Sequence, residues 1–262
     1  MILEEIAAKT RERVEKAKKE ISLEEVKAQA EYMNADTGFP FYQALAKEHL
    51  SYICEVKKAS PSKGLIAPDF PYVQIAKEYE QAGASAISCL TEPYYFQGSD
   101  RYLREIAKEV SIPVLRKDFV VDEYMIYEAK VLGASAILLI CAILNKETVK
   151  EYIRIARRLG LSALVEAHDA KEIADAVYAG AEIIGVNNRD LRDFTVDVHN
   201  STRYRAMIPE NILFVSESGI QTNADIEVLK QNGTNAVLIG ETLMRSSDKK
   251  AMLEKLNGEP LK

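Results

Sequence analysis

The sequence predicts a closed barrel of eight parallel β-strands and alternating helices, preceded by a helical extension. Eight short apolar runs rich in β-branched residues begin 20 to 34 residues apart between Tyr52 and Glu241. This spacing accommodates a strand, a helix and two short loops in each repeat. The runs lack polar alternation, which is typical of strands buried on both faces. The length of 262 residues is close to the ~250 that such a barrel needs.

Residues 1–46 form the predicted helical extension, which we expect to pack on a barrel formed by residues 47–262 and to complete a single domain. From Leu3 to about Ala46, apolar residues recur at helical spacing. Ser22 is followed three residues later by Glu25, a pattern that predicts a capping box at the start of a helix.

The eight predicted strands are YICEVK (52–57), AISCLT (86–91), PVLRKD (113–118), AILLIC (136–141), SALVEA (162–167), EIIGVNN (182–188), ILFVSES (212–218) and AVLIGE (236–241). Helical segments lie between them, and several of these segments end in Gly, a preferred residue at helix C-caps. The alternative is an open doubly wound sheet, which more often carries a GxGxxG turn after its first strand. The sequence has no such turn, so we favour a (β/α)8 TIM barrel with an N-terminal helical extension.

The composition favours a small-molecule partner. The formal net charge is −6 and no polybasic run is present, which argues against nucleic acid or an anionic membrane surface as a partner. No window approaches the ~20 apolar residues that span a bilayer, and the N-terminus lacks the apolar region of a signal peptide. We expect a cytoplasmic monomer.

The cysteine and histidine patterns predict neither disulfides nor a metal site. Cys54, Cys89 and Cys141 lie in apolar strand-like runs without CxxC pairs, so we expect buried free thiols. His49, His168 and His199 belong to no HExxH or HxxxH motif. We therefore expect no metal.

Charged residues late in the predicted strands indicate the active site, because strand carboxyl ends form the catalytic face of a parallel barrel. Any one of these charges is explained as well by a solvated rim or a structural ion pair. Together they would lie close enough to shift one another's pKa values toward acid–base catalysis. The polar residues at these strand ends are Glu55, Lys57, Lys117, Glu166, Asn187, Arg189, Glu217 and Ser218.

Glycines after the last two strands predict a phosphate site. Gly219 follows the seventh strand, and Gly240 precedes Glu241 after the eighth. Barrel enzymes often bind phosphate with backbone N–H groups at these two positions, and glycine lets the backbone approach the anion. Either glycine alone is explained as well by a tight turn, but the pair favours phosphate.

The sequence resembles the indole-3-glycerol-phosphate synthase family of tryptophan biosynthesis. Seven blocks carry the resemblance, in the family's order over nearly the whole chain: EVKKASPSKG (55–64), LTEPYYFQGS (90–99), LRKDFVVDEYMIYEA (115–129), LVEAHD (164–169), GVNNRDL (185–191), VSESGI (215–220) and LIGETLMRS (238–246). It implies a carboxy-lyase that converts 1-(2-carboxyphenylamino)-1-deoxyribulose 5-phosphate to indole-3-glycerol phosphate, CO2 and water without a cofactor or metal. Association with other tryptophan-pathway enzymes stays open.

The resemblance also implies a role for each site residue. Lys117 would be the general acid at the sugar carbonyl, Lys57 would bind the substrate carboxylate, and Glu166 would be the acid/base of the dehydration. Residues that would shape and orient the site are Glu55, Asn187, Glu217 and Ser218. Phosphate would be held by Ser60, Arg189, Gly219, Gly240 and the backbone of Glu241. The aromatic ring would contact Phe96, Phe119 and Leu191, near Tyr94 and Tyr95.

Two other functions are alternatives to the lyase. A phosphosugar isomerase of neighbouring pathway steps would share the barrel but use a Cys/Asp or paired-Asp set. A barrel without catalysis could survive as a metabolite-binding or scaffolding protein, but the Lys- and Glu-rich rim favours the lyase over both.

Segment 58–64, KASPSKG, predicts either a mobile lid or an ordinary exposed loop.

Overall fold

A computed structural model describes residues 2–189, 195–197 and 199–261 and has a closed barrel of eight parallel strands. The barrel strands are β1 (Ser51–Val56), β4 (Ala86–Leu90), β5 (Val114–Lys117), β6 (Ala136–Ile140), β7 (Ser162–Ala167), β8 (Ile183–Asn187), β9 (Leu213–Glu217) and β10 (Ala236–Ile239). Each strand pairs with the next along the chain, and β10 closes on β1. The predicted TIM barrel is confirmed, and each predicted strand agrees with an observed one to within about two residues at either end.

Two short strands lie outside the barrel, in the segment predicted to be a loop. β2 (Ala59–Ser60) and β3 (Gly64–Leu65) pair antiparallel directly after β1. This small hairpin was not predicted, because two-residue strands are too short to show a period in the sequence. Whether the segment moves as a lid stays a prediction.

The helices occupy the intervals that the sequence predicted. They are α1 (Ile2–Glu20), α2 (Leu23–Tyr32), α3 (Pro40–Leu45), α4 (Tyr72–Gln81), α5 (Asp100–Glu109), α6 (Tyr124–Val131), α7 (Lys146–Arg158), α8 (Ala170–Tyr178), α9 (His199–Arg205), α10 (Asn223–Gln231), α11 (Glu241–Arg245) and α12 (Lys249–Asn257). Gly133 and Gly160 follow α6 and α7 with φ of 91° and 72°, a left-handed conformation that favours glycine.

The N-terminal segment is three helices, so the expectation of a helical pattern as far as Ala46 is wrong between α2 and α3. Phe39 has a φ of 52° and Pro40 begins α3, which explains the break. The predicted capping box is confirmed, because the Ser22 side chain accepts from the Glu25 N–H and the Glu25 carboxylate accepts from the Ser22 N–H.

Ion pairs join α1 to the carboxyl end of the barrel. Arg13 Nη2 lies 2.7 Å from the buried Asp118 Oδ2, one residue beyond β5. Lys18 Nζ lies 2.7 Å from Asp122 Oδ2. α1 therefore lies beside the end of the barrel where the strand-end charges meet.

Two apolar layers surround the strands. The outer layer packs strands against helices, and the inner layer fills the barrel with side chains that include Ile53, Leu115, Leu138, Leu164, Val215 and Leu238. Cys54 and Cys89 are buried free thiols, as predicted, whereas Cys141 is free but only partly buried because it follows the last residue of β6. No described helix is long and apolar enough to cross a membrane.

Candidate active site

A cavity of about 600 Å³ opens at the carboxyl ends of the strands. It brings together every predicted site residue that the structure describes: Glu55, Lys57, Ser60, Phe96, Lys117, Phe119, Glu166, Asn187, Arg189, Glu217, Ser218, Gly219, Gly240 and Glu241. Leu191 lies outside the described residues. The sequence therefore identified both the location of the cavity and most of its polar lining.

Lys117 lies between two carboxyl groups. Its Nζ is 3.3 Å from Glu166 Oε2 and 3.6 Å from Glu217 Oε2. Burial disfavours the ammonium, but the charges of Glu166, Glu217 and Glu55 outweigh burial and raise the pKa of Lys117. Lys117 is therefore an ammonium ion at neutral pH, the form that is able to donate a proton.

The two glutamates beside Lys117 have opposite protonation states. Burial opposes ionisation of Glu166, yet Lys117, His168 and a hydrogen bond of 3.2 Å from Asn187 Nδ2 lower its pKa. Burial and the neighbouring charge of Glu166 raise the pKa of Glu217 to about 8. At neutral pH, Glu166 is a carboxylate and Glu217 carries a proton, a division typical of acid–base sites.

Glu217→Gln is expected to stabilise the fold at neutral and alkaline pH. The folded wild type holds the proton up to a pKa of about 8, whereas the unfolded chain loses it near the ordinary value of 4.5. The group's contribution to the free energy of unfolding therefore falls as pH rises between those values. Glutamine mimics the neutral form at every pH, so the gain grows with pH to roughly 3–5 kcal/mol above pH 8.

Urea denaturation of wild type and Glu217→Gln at pH 4.5, 7 and 9 measures this gain. Glu210→Gln is the matched control, because Glu210 is exposed and precedes the same strand. A gain that stays constant across these pH values contradicts the raised pKa.

Glycines make room for the side chains of Glu55 and Glu217. A Cβ at Gly240 would collide with the carboxyl group of Glu55 and lie 2.8 Å from Lys57 Nζ. A Cβ at Gly185 in β8 would collide with the carboxyl group of Glu217. No role was predicted for Gly185 from the sequence, although a glycine inside an apolar strand indicates close approach of another group.

Lys57 and Glu55 form an ion pair of 2.5 Å between Nζ and Oε1. The two residues are two positions apart, a spacing that places side chains on the same side of an extended chain. Because Lys57 lines the cavity and directly follows β1, its ammonium is available to a ligand anion while Glu55 holds it in place.

The predicted phosphate residues lie together at one side of the cavity. Ser218 and Gly219 have φ of 69° and 81° directly after β9, and α11 begins immediately after Gly240. The first N–H groups of a helix have no acceptor within that helix and can bind an anion. Arg245, which the sequence analysis missed, also lines this side and pairs with Glu241 at 3.1 Å.

The aromatic side of the cavity is held by a buried carboxylate. The rings of Phe96 and Phe119 lie with centroids 6.0 Å apart. Glu92 accepts the backbone N–H groups of Tyr94, Tyr95 and Phe96 at 2.9, 2.7 and 3.0 Å. The side chains of Tyr94 and Tyr95 do not line the cavity; the apolar lining instead includes Ile2, Leu3 and Ile6 of α1, which the sequence analysis did not single out.

Glu92→Gln is expected to raise KM about 10-fold and to change kcat less than about 3-fold. The amide NH2 would face backbone donors that the carboxylate accepts, so the loop that carries Phe96 would lose its anchor. Steady-state kinetics with the exposed Glu48→Gln as control measures the effect. An unchanged KM contradicts the assignment of Glu92 as the anchor of the aromatic side.

Among the described residues, no group of three or more His, Cys, Asp or Glu side chains is arranged to hold a metal ion. The polar groups that do converge are an ammonium donor, an ionised carboxylate and a protonated carboxyl, next to a cluster of turn and helix-start N–H groups. Such a site on a TIM barrel is that of an acid–base enzyme whose ligand carries a phosphate.

Comparisons with known proteins identify the family. The sequence model of indole-3-glycerol phosphate synthase matches residues 3–256. The chain is 58% identical to the indole-3-glycerol phosphate synthase of Ruminiclostridium cellulolyticum over 98% of this chain and 99% of that one. It is 56% identical to that of Endomicrobium trichonymphae over 95% and 96%. The chain belongs to the indole-3-glycerol phosphate synthase family.

Solved structures of other enzymes share the fold alone. The 3-hexulose-6-phosphate synthase of Salmonella typhimurium matches with a TM-score of 0.65 at 11% identity, covering 80% of this chain and 97% of that chain. A thiamine phosphate pyrophosphorylase from Pyrococcus furiosus matches with a TM-score of 0.60 at 16% identity, covering 83% and 96%. The barrel is therefore shared by proteins with other names, and the family assignment rests on sequence.

Proposed function

We propose that the chain catalyses the decarboxylative and dehydrative ring closure of 1-(2-carboxyphenylamino)-1-deoxyribulose 5-phosphate to indole-3-glycerol phosphate, CO2 and water. The observation that carries this proposal is the position of the Lys117 ammonium against the ionised Glu166 inside the cavity. One group can give a proton and the other can take one, as a ring closure followed by dehydration requires. The names of the relatives agree with this carboxy-lyase activity.

In the first step, Lys117 donates a proton to the sugar carbonyl oxygen while the ring carbon that bears the carboxyl group attacks the carbonyl carbon. An aromatic carbon is a weak nucleophile, so protonation of the carbonyl lowers this barrier directly. Lys57 binds the substrate carboxylate and fixes the attacking carbon in place, supported by its ion pair with Glu55.

The next two steps restore aromaticity and form the indole. The bond between the ring and the carboxyl carbon breaks, its electrons return to the ring, and CO2 leaves. The hydroxyl made from the carbonyl oxygen then departs as water, with Lys57 as proton donor, while Glu166 takes the proton that is lost to form the double bond. Asn187, Glu217 and Ser218 orient these groups, and Asn187 does so through its hydrogen bond to Glu166.

The phosphate and the aromatic ring of the substrate contact different residues, polar ones at the phosphate and apolar ones at the ring. Its phosphate contacts Ser60, Arg189, Gly219, Gly240 and the backbone of Glu241, which line the cavity and come after the neighbouring strands β1, β8, β9 and β10. Its aromatic ring contacts Phe96 and Phe119, and the proposal extends this wall to Leu191. The rim holds no pair of aspartates of the kind expected for a phosphosugar isomerase, because Asp118 alone among the described aspartates lines the cavity.

We further propose that the protein is a cytoplasmic monomer. The support for the location is the biosynthetic activity, which uses a small phosphorylated metabolite, and the monomer is carried over from the sequence as an expectation. Sedimentation velocity measures the oligomeric state directly, and a dimer at micromolar concentration contradicts the monomer.

The proposed function is tested by incubating the purified protein with the carboxyphenylamino-deoxyribulose phosphate and following indole fluorescence. We expect product in stoichiometric yield, at the same rate with and without EDTA. The absence of indole product at any enzyme concentration contradicts the function, and loss of turnover in EDTA contradicts the metal-free mechanism.

A further inference from the structure

Glu166 has a charged neighbour on the side away from the cavity. His168 follows it by two residues, just beyond β7, and does not line the cavity. Its Nε2 lies 3.3 Å from Glu166 Oε1, and its Nδ1 lies 3.1 Å from Glu172 Oε2 in the first turn of α8. The imidazole is thus held between a carboxylate of the site and a carboxylate of the following helix.

The turn from β7 to α8 fixes this arrangement. Glu172 accepts the backbone N–H of His168 at 2.8 Å in addition to its contact with the ring. Asp169 caps α8 by accepting the Glu172 N–H at 2.8 Å. His168 Nε2 is buried and makes no hydrogen bond, so its contact with Glu166 is electrostatic.

The other titratable groups near this pair come from the surrounding elements. They are Glu55 on β1, Lys117 on β5, Cys141 after β6, Glu217 on β9, and Lys171 and Asp175 on α8. Burial disfavours the imidazolium, but Glu166 and Glu172 outweigh burial and raise the pKa of His168 to about 10. Lys117 and His168 are the two cations in contact with Glu166 among these groups.

We propose that His168 is a positioning residue of the reaction, a fixed imidazolium behind Glu166 that keeps this carboxylate ionised and oriented after Lys117 has given its proton to the substrate. The inference rests on the proposed function, which assigns the acid role to Lys117 and the base role to Glu166.

The need for such a cation follows from the chemistry. Once Lys117 is neutral, Glu166 loses the charge that contributes most against its burial. A buried carboxylate without a cation takes up a proton, and a protonated Glu166 cannot act as a base. His168 does not line the cavity, so the proton transfers proposed for Lys117 and Glu166 do not pass through its ring. A purely structural link between β7 and α8 would instead affect stability without changing how activity depends on pH.

His168→Gln tests the proposal, because glutamine keeps an N–H donor and removes the charge. We expect kcat to fall about 10- to 100-fold with KM within about 3-fold. The acid limb of the kcat–pH profile should move up by about one pH unit, because loss of the cation raises the pKa of Glu166. Glu172→Gln should move the limb in the same direction by less. His49→Gln, an exposed histidine before β1, should match wild type.

The kinetic and NMR results each support or overturn the proposed role of His168. Active wild type together with a His168→Gln variant of unchanged kcat and pH profile overturns this inference and leaves the proposed function intact, whereas inactive wild type refutes the function first. Circular dichroism checks folding; if His168→Gln does not fold, the acid limb of Glu172→Gln decides. An NMR titration of the three histidines in wild type is independent of turnover. A His168 ring that titrates near pH 6.5 overturns the inference, and one still protonated at pH 8.5 supports it.

Discussion

Lys117→Met is expected to lower kcat by about 10³-fold or more while the protein stays folded and still binds the substrate. Methionine has a similar length but no proton to give, so protonation of the carbonyl is lost. The substitution also removes the cation that lies 3.3 Å from Glu166 Oε2 and 3.6 Å from Glu217 Oε2. Phosphate and ring contacts do not involve this side chain, so binding should survive.

Single-turnover kinetics and calorimetric titration of substrate measure the two effects separately. Lys117→Arg is the informative second variant, because it keeps the positive charge but replaces a compact ammonium by a bulkier guanidinium that does not release its proton. It should restore stability without restoring turnover. Lys16→Met, on the exposed face of α1, is the control. Turnover by Lys117→Met within about 10-fold of wild type contradicts the acid role.

Glu166→Gln is expected to lower kcat by about 10²- to 10⁴-fold, with its effect on the dehydration. Glutamine cannot take a proton, but it preserves the shape of the group and an acceptor for Asn187. Ring closure and decarboxylation precede this step and use the two lysines. The variant should therefore release CO2 in a single turnover before indole absorbance appears.

A rapid-quench comparison of CO2 and indole in the same sample measures this order. Glu151→Gln, a partly exposed residue on α7 outside the cavity, provides the control. If CO2 and indole appear together in Glu166→Gln at a reduced rate, the assignment of Glu166 to the dehydration is wrong and an earlier step limits the reaction.

The fold was largely predictable because each barrel strand has a recognisable local sequence pattern. Runs such as 136–141 are apolar throughout, and parallel strands buried on both faces need only that pattern and a regular spacing. The strand-end charges were predictable for the same reason, since Lys117 and Glu166 interrupt apolar runs. The break before α3 was not predicted, because apolar residues recur at helical spacing on both sides of the seven-residue connection between α2 and α3.

The electrostatic character of the site was not predictable in the same way. In the sequence, Glu166 and Glu217 are equivalent residues at strand ends. In the structure, the cations Lys117 and His168 lower the pKa of Glu166, whereas burial and the negative charge of Glu166 raise the pKa of Glu217. That difference depends on distances of a few ångströms across the barrel, between β5, β7 and β9. Likewise, the contribution of Ile6 from α1 and the anchoring of the aromatic loop by Glu92 depend on packing between distant segments.

The decarboxylative ring closure with Lys117 as the acid is tested most directly with substrate labelled with ¹³C at the aromatic carboxyl group. We expect wild type to release one labelled CO2 for every indole-3-glycerol phosphate formed, with no label in the product, and Lys117→Met to release neither. Indole product that retains the label would contradict the decarboxylation, and labelled CO2 released by Lys117→Met at the wild-type rate would contradict the acid role of Lys117.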